Sequence, residues 1–246
     1  MSLSDRAVIE IPDLTVPRSE LERMRQRHLG RTGQFLVILM GALFAAARPS
    51  QAEDVMPIEF GKFAIGALPT GFSTGLTGRG KAVAWTVIED PSAPSGRVLA
   101  EMSADTTDYR FPLAIYDDQR LTNVAVTVRF RPVAGKVDRA AGIAVRLLDQ
   151  DNYYVVRANA LEDNVRFYRV VKGDRHQIEG MSRKILSDKW QALGLRAEGD
   201  KFTVMLNGKE LFTATDRTFT GPGLVALWTK ADSVTHFDQM IISRLQ

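Results

Sequence analysis

The 246-residue chain contains no cysteine and only three histidines. Without thiols there is no disulfide framework, no thiolate zinc site and no cysteine nucleophile. His176 and His236 stand in the part of the chain read below as the mature domain, without a tight carboxylate cluster beside them, which argues against a His-rich catalytic metal site. Long runs of like charge are missing from residues 53–246. The net charge of +3 arises mostly in residues 1–52, where seven Arg and five acidic residues contribute +2. The remaining 25 basic and 24 acidic residues leave +1, so a phosphate-tracking stripe has no support and no nucleic-acid partner is expected. Also absent are an apolar run of the ~20 residues that a membrane span needs and, after residue 52, a convincing helical periodicity.

The longest uncharged apolar run, Phe35–Ala47 (FLVILMGALFAAA), has 13 residues, which suits the hydrophobic region of a signal peptide. Arg23, Arg25, Arg27 and Arg31 precede it. Pro49 follows, and Ser50 and Ala52 put small residues at −3 and −1 of a cut before Glu53. A buried core helix and a retained anchor are the competing readings, disfavoured by the flanking Arg residues and the small-x-small site. No Arg-Arg pair precedes the run and no Cys follows it, which argues against twin-arginine export and lipoprotein anchoring. The expected organisation is therefore an N-terminal extension and signal peptide over 1–52, starting at Met1 or Met24, and one domain over 53–246. That domain is expected to be periplasmic or secreted, with no stable membrane anchor after cleavage.

The domain reads as short strands with polar turns. Leu121–Phe130 alternates, with Val124, Val126 and Val128 opposite Thr127 and Arg129. Ala141–Leu148 sets Ile143, Val145 and Leu147 opposite Gly142, Ala144 and Arg146. Tyr153–Ala158, Val165–Val171, Arg175–Glu179, Trp190–Ala197, Phe202–Leu206, Lys209–Thr213, Leu224–Thr229 and Thr235–Ile242 continue the pattern, and Asn207-Gly208 is a hairpin signal. Val83–Val87 and Arg97–Met102 are read as strands of the opposite sheet. Such spacing, with no shift in composition, indicates one all-β sandwich or barrel.

Two segments narrow this. AGIAVRLLDQDNYYVVRANALEDN (141–164) carries a G-I-x-x-R strand and a D-x-x-N-Y-Y turn, and GPGLVALWTKADSVTHFDQMIISRL (221–245) carries a G-L-x-x-L-W strand and a final F-D strand. Together they resemble the concanavalin A-like lectin/glucanase superfamily, in the branch of bacterial laminin-G-like and 3-keto-disaccharide-hydrolase-like domains. The resemblance runs from about Phe60 to Leu245 and implies a concanavalin A-like jelly roll of two antiparallel sheets. That fold hosts lectins, hydrolases, lyases and adhesion modules alike.

The β-glucanases of the superfamily set two carboxylates on one strand in an E-x-D-x-x-E arrangement. This chain lacks it: Glu89-Asp90, Asp117-Asp118 and Glu162-Asp163 are adjacent and read as turn residues. Ser233, His236 and Asp238 can be drawn as a triad, but no nucleophile elbow supports them. The resemblance implies a structural calcium at Asp238, with Glu59 a candidate second ligand; the alternative is a surface Asp. The candidate ligand-binding residues are Arg146, Asn152, Tyr154, Arg157, Asn159 and Asn164 from one hairpin run, and Trp228 and Lys230, with Asp232 beside them, from a second segment. Aromatic faces cover the C–H side of a sugar, while Arg and Asn bind its hydroxyls or a uronate. The competing reading makes Trp228 and Tyr154 packing residues and the Arg residues sheet cover; Trp85 and Trp190 are assigned to the core. Three functions stay open: carbohydrate binding on a concave face, a glycoside hydrolase or lyase, and a structural module whose concave face is filled by its own side chains.

Overall fold

A computed structural model describes residues 54–246; the segment read as a signal peptide and its expected cleavage site lie outside the described residues. The described residues contain no α-helix. Their order is β1 (Asp54–Glu59), a 3-10 turn (Phe60–Lys62), β2 (Phe72–Gly78), β3 (Trp85–Glu89), β4 (Arg97–Glu101), β5 (Arg110–Leu121), β6 (Val124–Ala134), β7 (Ala140–Asp149), β8 (Asn152–Asn159), β9 (Asn164–Val171) and β10 (Asp174–Ser182). Then come β11 (Gln191–Glu198), β12 (Lys201–Leu206), β13 (Lys209–Thr215), β14 (Gly223–Trp228) and β15 (Val234–Arg244).

Two antiparallel sheets form a jelly-roll sandwich. The eight-stranded sheet runs β13-β12-β11-β6-β15-β4-β3, with β1 beside the far half of β15, and the seven-stranded sheet runs β10-β9-β8-β7-β14-β5-β2. Strand alternation fills the space between them. Val124, Val126 and Val128 of β6 and Phe237, Met240 and Ile242 of β15 meet Ile143, Val145, Tyr154, Val156 and Phe167 from the other sheet.

A second apolar cluster lies on the outer face of the seven-stranded sheet: Phe111, Leu113, Ala144, Tyr153, Val155, Tyr168, Val170 and Trp228. Here the sheet is rolled. β2 and β8 are four strands apart, roughly 19 Å across a flat sheet, yet Thr77 Oγ1 and Tyr153 Oη are 2.7 Å apart. Tyr109 Oη, just before β5, donates to Gly173 O in the β9–β10 turn at 2.7 Å.

Three local expectations are corrected. The expected strand Leu121–Phe130 is β6, which starts at Val124, and β5 before it was not read because Arg110–Ile115 is buried on both faces and so has no alternation to detect. Leu147 leaves the face of Ile143 and Val145, since Arg146 takes a left-handed conformation (φ 49°) and the ladder slips after Val145. Trp190 is only half-buried, held by its Nε1 donating to Ser92 O at 3.0 Å, whereas Trp85 is in the core.

Candidate functional site

The ligand-binding residues selected from the sequence separate into five environments. Tyr154 points between the sheets, stacked on Phe167 at 5.7 Å, and its Oη donates to Asp216 Oδ1 at 2.6 Å. Burial first, then the Asp216 contact, push its phenol to about 12. Trp228 is fully buried on the concave face, stacked on Phe111 at 5.3 Å, with Nε1 donating to Tyr153 Oη at 3.3 Å. The ring lies over β7 because residue 142 is glycine; a Cβ there would meet Trp228 Cε3 at 3.0 Å. The exposed aromatic plane expected at these two positions is therefore absent: both rings are packing.

Arg146 is likewise packed away from solvent. It is 1% exposed, and its guanidinium donates to the carbonyls of Thr122 (3.0 Å), Phe219 (2.8 Å) and Gly199. Asn152 closes the β7–β8 turn, donating to Asp149 Oδ1 at 2.9 Å and accepting from Lys172 N at 3.0 Å.

Arg157, Asn159, Asn164 and Lys230 do come together. β8 alternation puts Arg157 and Asn159 on the concave face, and Asn159 pairs with Asn164 at the start of β9. Lys230, just past β14, reaches the same end through Asp138: Lys230 Nζ is 2.8 Å from Asp138 Oδ2, and Asn159 Nδ2 donates to Asp138 Oδ1 at 2.7 Å. Gly135 (φ 135°) turns the chain to present Asp138; a Cβ there would fall on Asp138 O. Asp108, 74% exposed, also pairs with Lys230 Nζ. Arg157 donates to Asn164 Oδ1 at 2.6 Å, Glu162 Oε2 at 2.8 Å and Tyr168 Oη at 3.3 Å. Beyond Tyr168, the Arg175 guanidinium sits between the Tyr168 and Phe111 rings, at 4.5 and 4.8 Å.

Burial raises the Asp138 carboxyl, against the pull of Lys230. Burial also acts upward on Glu162, but Asn164 and Arg157 outweigh it and keep it an anion. Burial opposes charge on Lys230, yet Asp108 and Asp138 leave its ammonium strengthened. Arg157 Nε and Arg175 Nη1 are buried donors without a hydrogen-bond partner. Three cations and three carboxylates thus form an arc across one end of the hollow, away from the inter-sheet core. Glu162 and Asp108 form its solvent side. Sequence reasoning missed Asp108, Asp138, Tyr168 and Arg175 and read Glu162 as a plain turn residue. The concave-face register Arg157–Gly142–Trp228 was the one available signal.

The metal residues share a hollow of about 250 Å³ on the opposite side of the molecule. There Asp238 Oδ2 is 2.6 Å from Arg129 Nη2 and its Oδ1 accepts from Ser95 Oγ at 2.7 Å, while Glu59 pairs with Lys62 at 3.0 Å. The charge facing Asp238 is a guanidinium, and among the described residues no group of three His, Cys, Asp or Glu forms a metal cage. The drawn triad is not assembled: His236 Nδ1 is 2.7 Å from Asp90 Oδ2, and Ser233 Oγ donates to Lys230 O.

The family model for the galactocerebrosidase C-terminal lectin domain matches residues 106–245, which hold every member of the arc. The Bacillus subtilis carbohydrate binding module CBM66 superposes with a TM-score of 0.53 at 21% identity, over 69% of this chain and 92% of that one. A Bacillus subtilis protein of unknown function with a galectin-like fold gives 0.50 at 10% identity, over 77% and 98%. These two likenesses show the fold alone. No curated protein matches the chain.

Proposed function

Because the chain belongs to the family of galactocerebrosidase C-terminal lectin domains, we propose that it is an exported lectin-like domain that binds a glycan at the polar end of its concave face. The observation that carries this reading is the convergence of Arg157, Asn164 and Glu162 with Lys230 and Asp138 inside the family-matched segment. Charged groups on a sheet face lose hydration without a packing gain, so such a cluster is better explained by a ligand than by stability. Planar Arg and Asn donors beside carboxylate acceptors match a rim of sugar hydroxyls. Arg157 Nε and Arg175 Nη1 are donors still to be matched.

In this reading Glu162 and Asp108, the half-exposed and exposed members, make first contact with the glycan. Export rests on the apolar run Phe35–Ala47 with its basic flank and small-residue cut site. A glycan array probed with the full chain and with Glu162→Gln tests the site. Loss of a hydrogen bond to a charged acceptor predicts a drop of about tenfold or more in affinity. An unchanged binding profile in Glu162→Gln rules this site out.

A further inference from the structure

We propose a second sugar site, separate from the first, in the hollow of about 360 Å³ where β1 and the 3-10 turn meet β2 and β5. Its ligand is the ring of one neutral sugar. The walls that matter are Phe63, Tyr116, Thr70, Asp118, Glu59 and Lys62.

The hollow is built rather than incidental. Its aromatic side is a chain of rings, Phe63–Phe60 at 6.4 Å, Phe60–Phe72 at 5.9 Å and Phe72–Tyr116 at 5.3 Å, anchored in the inter-sheet core at Phe60 and Phe72. Phe63 and Tyr116 are its half-buried members, so they face the opening. The frame is fixed: β2 pairs with β5 over Phe72–Gly78, Asp117 N donates to Gly71 O at 3.0 Å and Ser73 Oγ donates to Asp117 Oδ1 at 2.8 Å. Tyr116 Oη donates to Asp118 Oδ2 at 3.3 Å, and the other Asp118 oxygen has no hydrogen bond within the described residues. Burial, and then the Asp118 charge, raise the Tyr116 phenol, so it stays a neutral donor at ordinary pH.

A ring face beside carboxylate acceptors, with a hydroxyl at Thr70 and an ammonium at Lys62, is the chemistry of a sugar with one C–H face and a hydroxyl rim. The volume falls in the range of small-molecule sites. Two carboxylates against one lysine, already 3.0 Å from Glu59, leave Asp118 as net negative charge and disfavour an anionic sugar. Eight of the ten lining residues precede residue 106, so the family match does not supply this site.

Amide shift mapping on the ¹⁵N-labelled full chain tests it, with methyl glycosides of glucose, galactose and mannose and with glucuronate as probes. The expected result is that a neutral glycoside perturbs 57–63, 70–72 and 116–118. Thr70→Trp, which fills the opening from an exposed position, abolishes those shifts, and Asp118→Asn weakens binding by about tenfold. Shifts confined to 157–168 and 228–232 overturn the second site and leave the first standing. Glucuronate moving the hollow's amides as strongly as the neutral glycosides overturns the assignment of ligand class. No shift at the hollow with any glycoside overturns the site.

Discussion

Arg146 holds three loops at once, through carbonyls of Thr122, Gly199 and Phe219. Replacing it by Met removes the fork that satisfies one buried and two part-buried carbonyls, so Arg146→Met should cost about 3 kcal/mol in urea unfolding. A loss of glycan affinity at unchanged stability would instead put Arg146 in a binding site. Its position alone was legible in the sequence: it reads as a polar residue opposite Val145, but the left-handed backbone that turns it toward the loops leaves no trace in a non-glycine residue. Asp238 gives the same lesson with a different outcome. The resemblance implied a cation there, and Arg129 supplies one. Thermal unfolding of the full chain is accordingly expected to be the same in calcium and in EDTA; a rise in Tm with calcium would show that the ion displaces the guanidinium.

β8 and β9 carry Arg157, Asn159 and Asn164 of the proposed lectin site, and the alternation of β8 was enough to place Arg157 and Asn159 on one face. What alternation could not give is how far the sheet rolls. Tyr153, read merely as the start of a strand, reaches Thr77, and Tyr109 closes onto Gly173, so the hollow's centre is filled by its own aromatic groups. Only the polar end and rim remain for a ligand. β2 was missed because FSTGLTG is an edge strand with two glycines and little apolar pattern. Asp117 and Asp118 were read as a turn but continue β5, which is how Asp118 comes to stand beside Tyr116. Loss of the Tyr109 clamp should loosen one hairpin locally: in Tyr109→Phe, amides of Val171–Arg175 are expected to exchange faster while β11–β13 keep wild-type rates. Equal acceleration of both regions would mean that the clamp supports the fold globally.

Acid response belongs to the whole sandwich. Burial acts upward on Asp90 and Asp216, but His236 and Ser92 outweigh it at Asp90, and Thr218 and Tyr154 at Asp216, so both carboxyls fall from 3.8 to about 2. Depressed carboxyls stabilise the fold above the unfolded value and lose that contribution as pH falls. Stability should therefore drop by about 3 kcal/mol between pH ~4 and ~2. Asp216→Asn should shrink that drop; an acid limb identical to wild type would remove Asp216 from the account. The sequence made two sheets legible, because alternation and turn chemistry repeat along the chain, and it named four residues that meet at the polar end. It left their carboxylate partners hidden, since Asp108, Asp138 and Glu162 sit in loops whose approach is decided by the packing of distant strands.

The most direct test of a glycan site at that end is hydrogen–deuterium exchange of the full chain, with and without the glycan selected on the array. The account predicts protection at 157–168 and 228–232. Protection found only on the outer face of the eight-stranded sheet, around β11–β13, would contradict it.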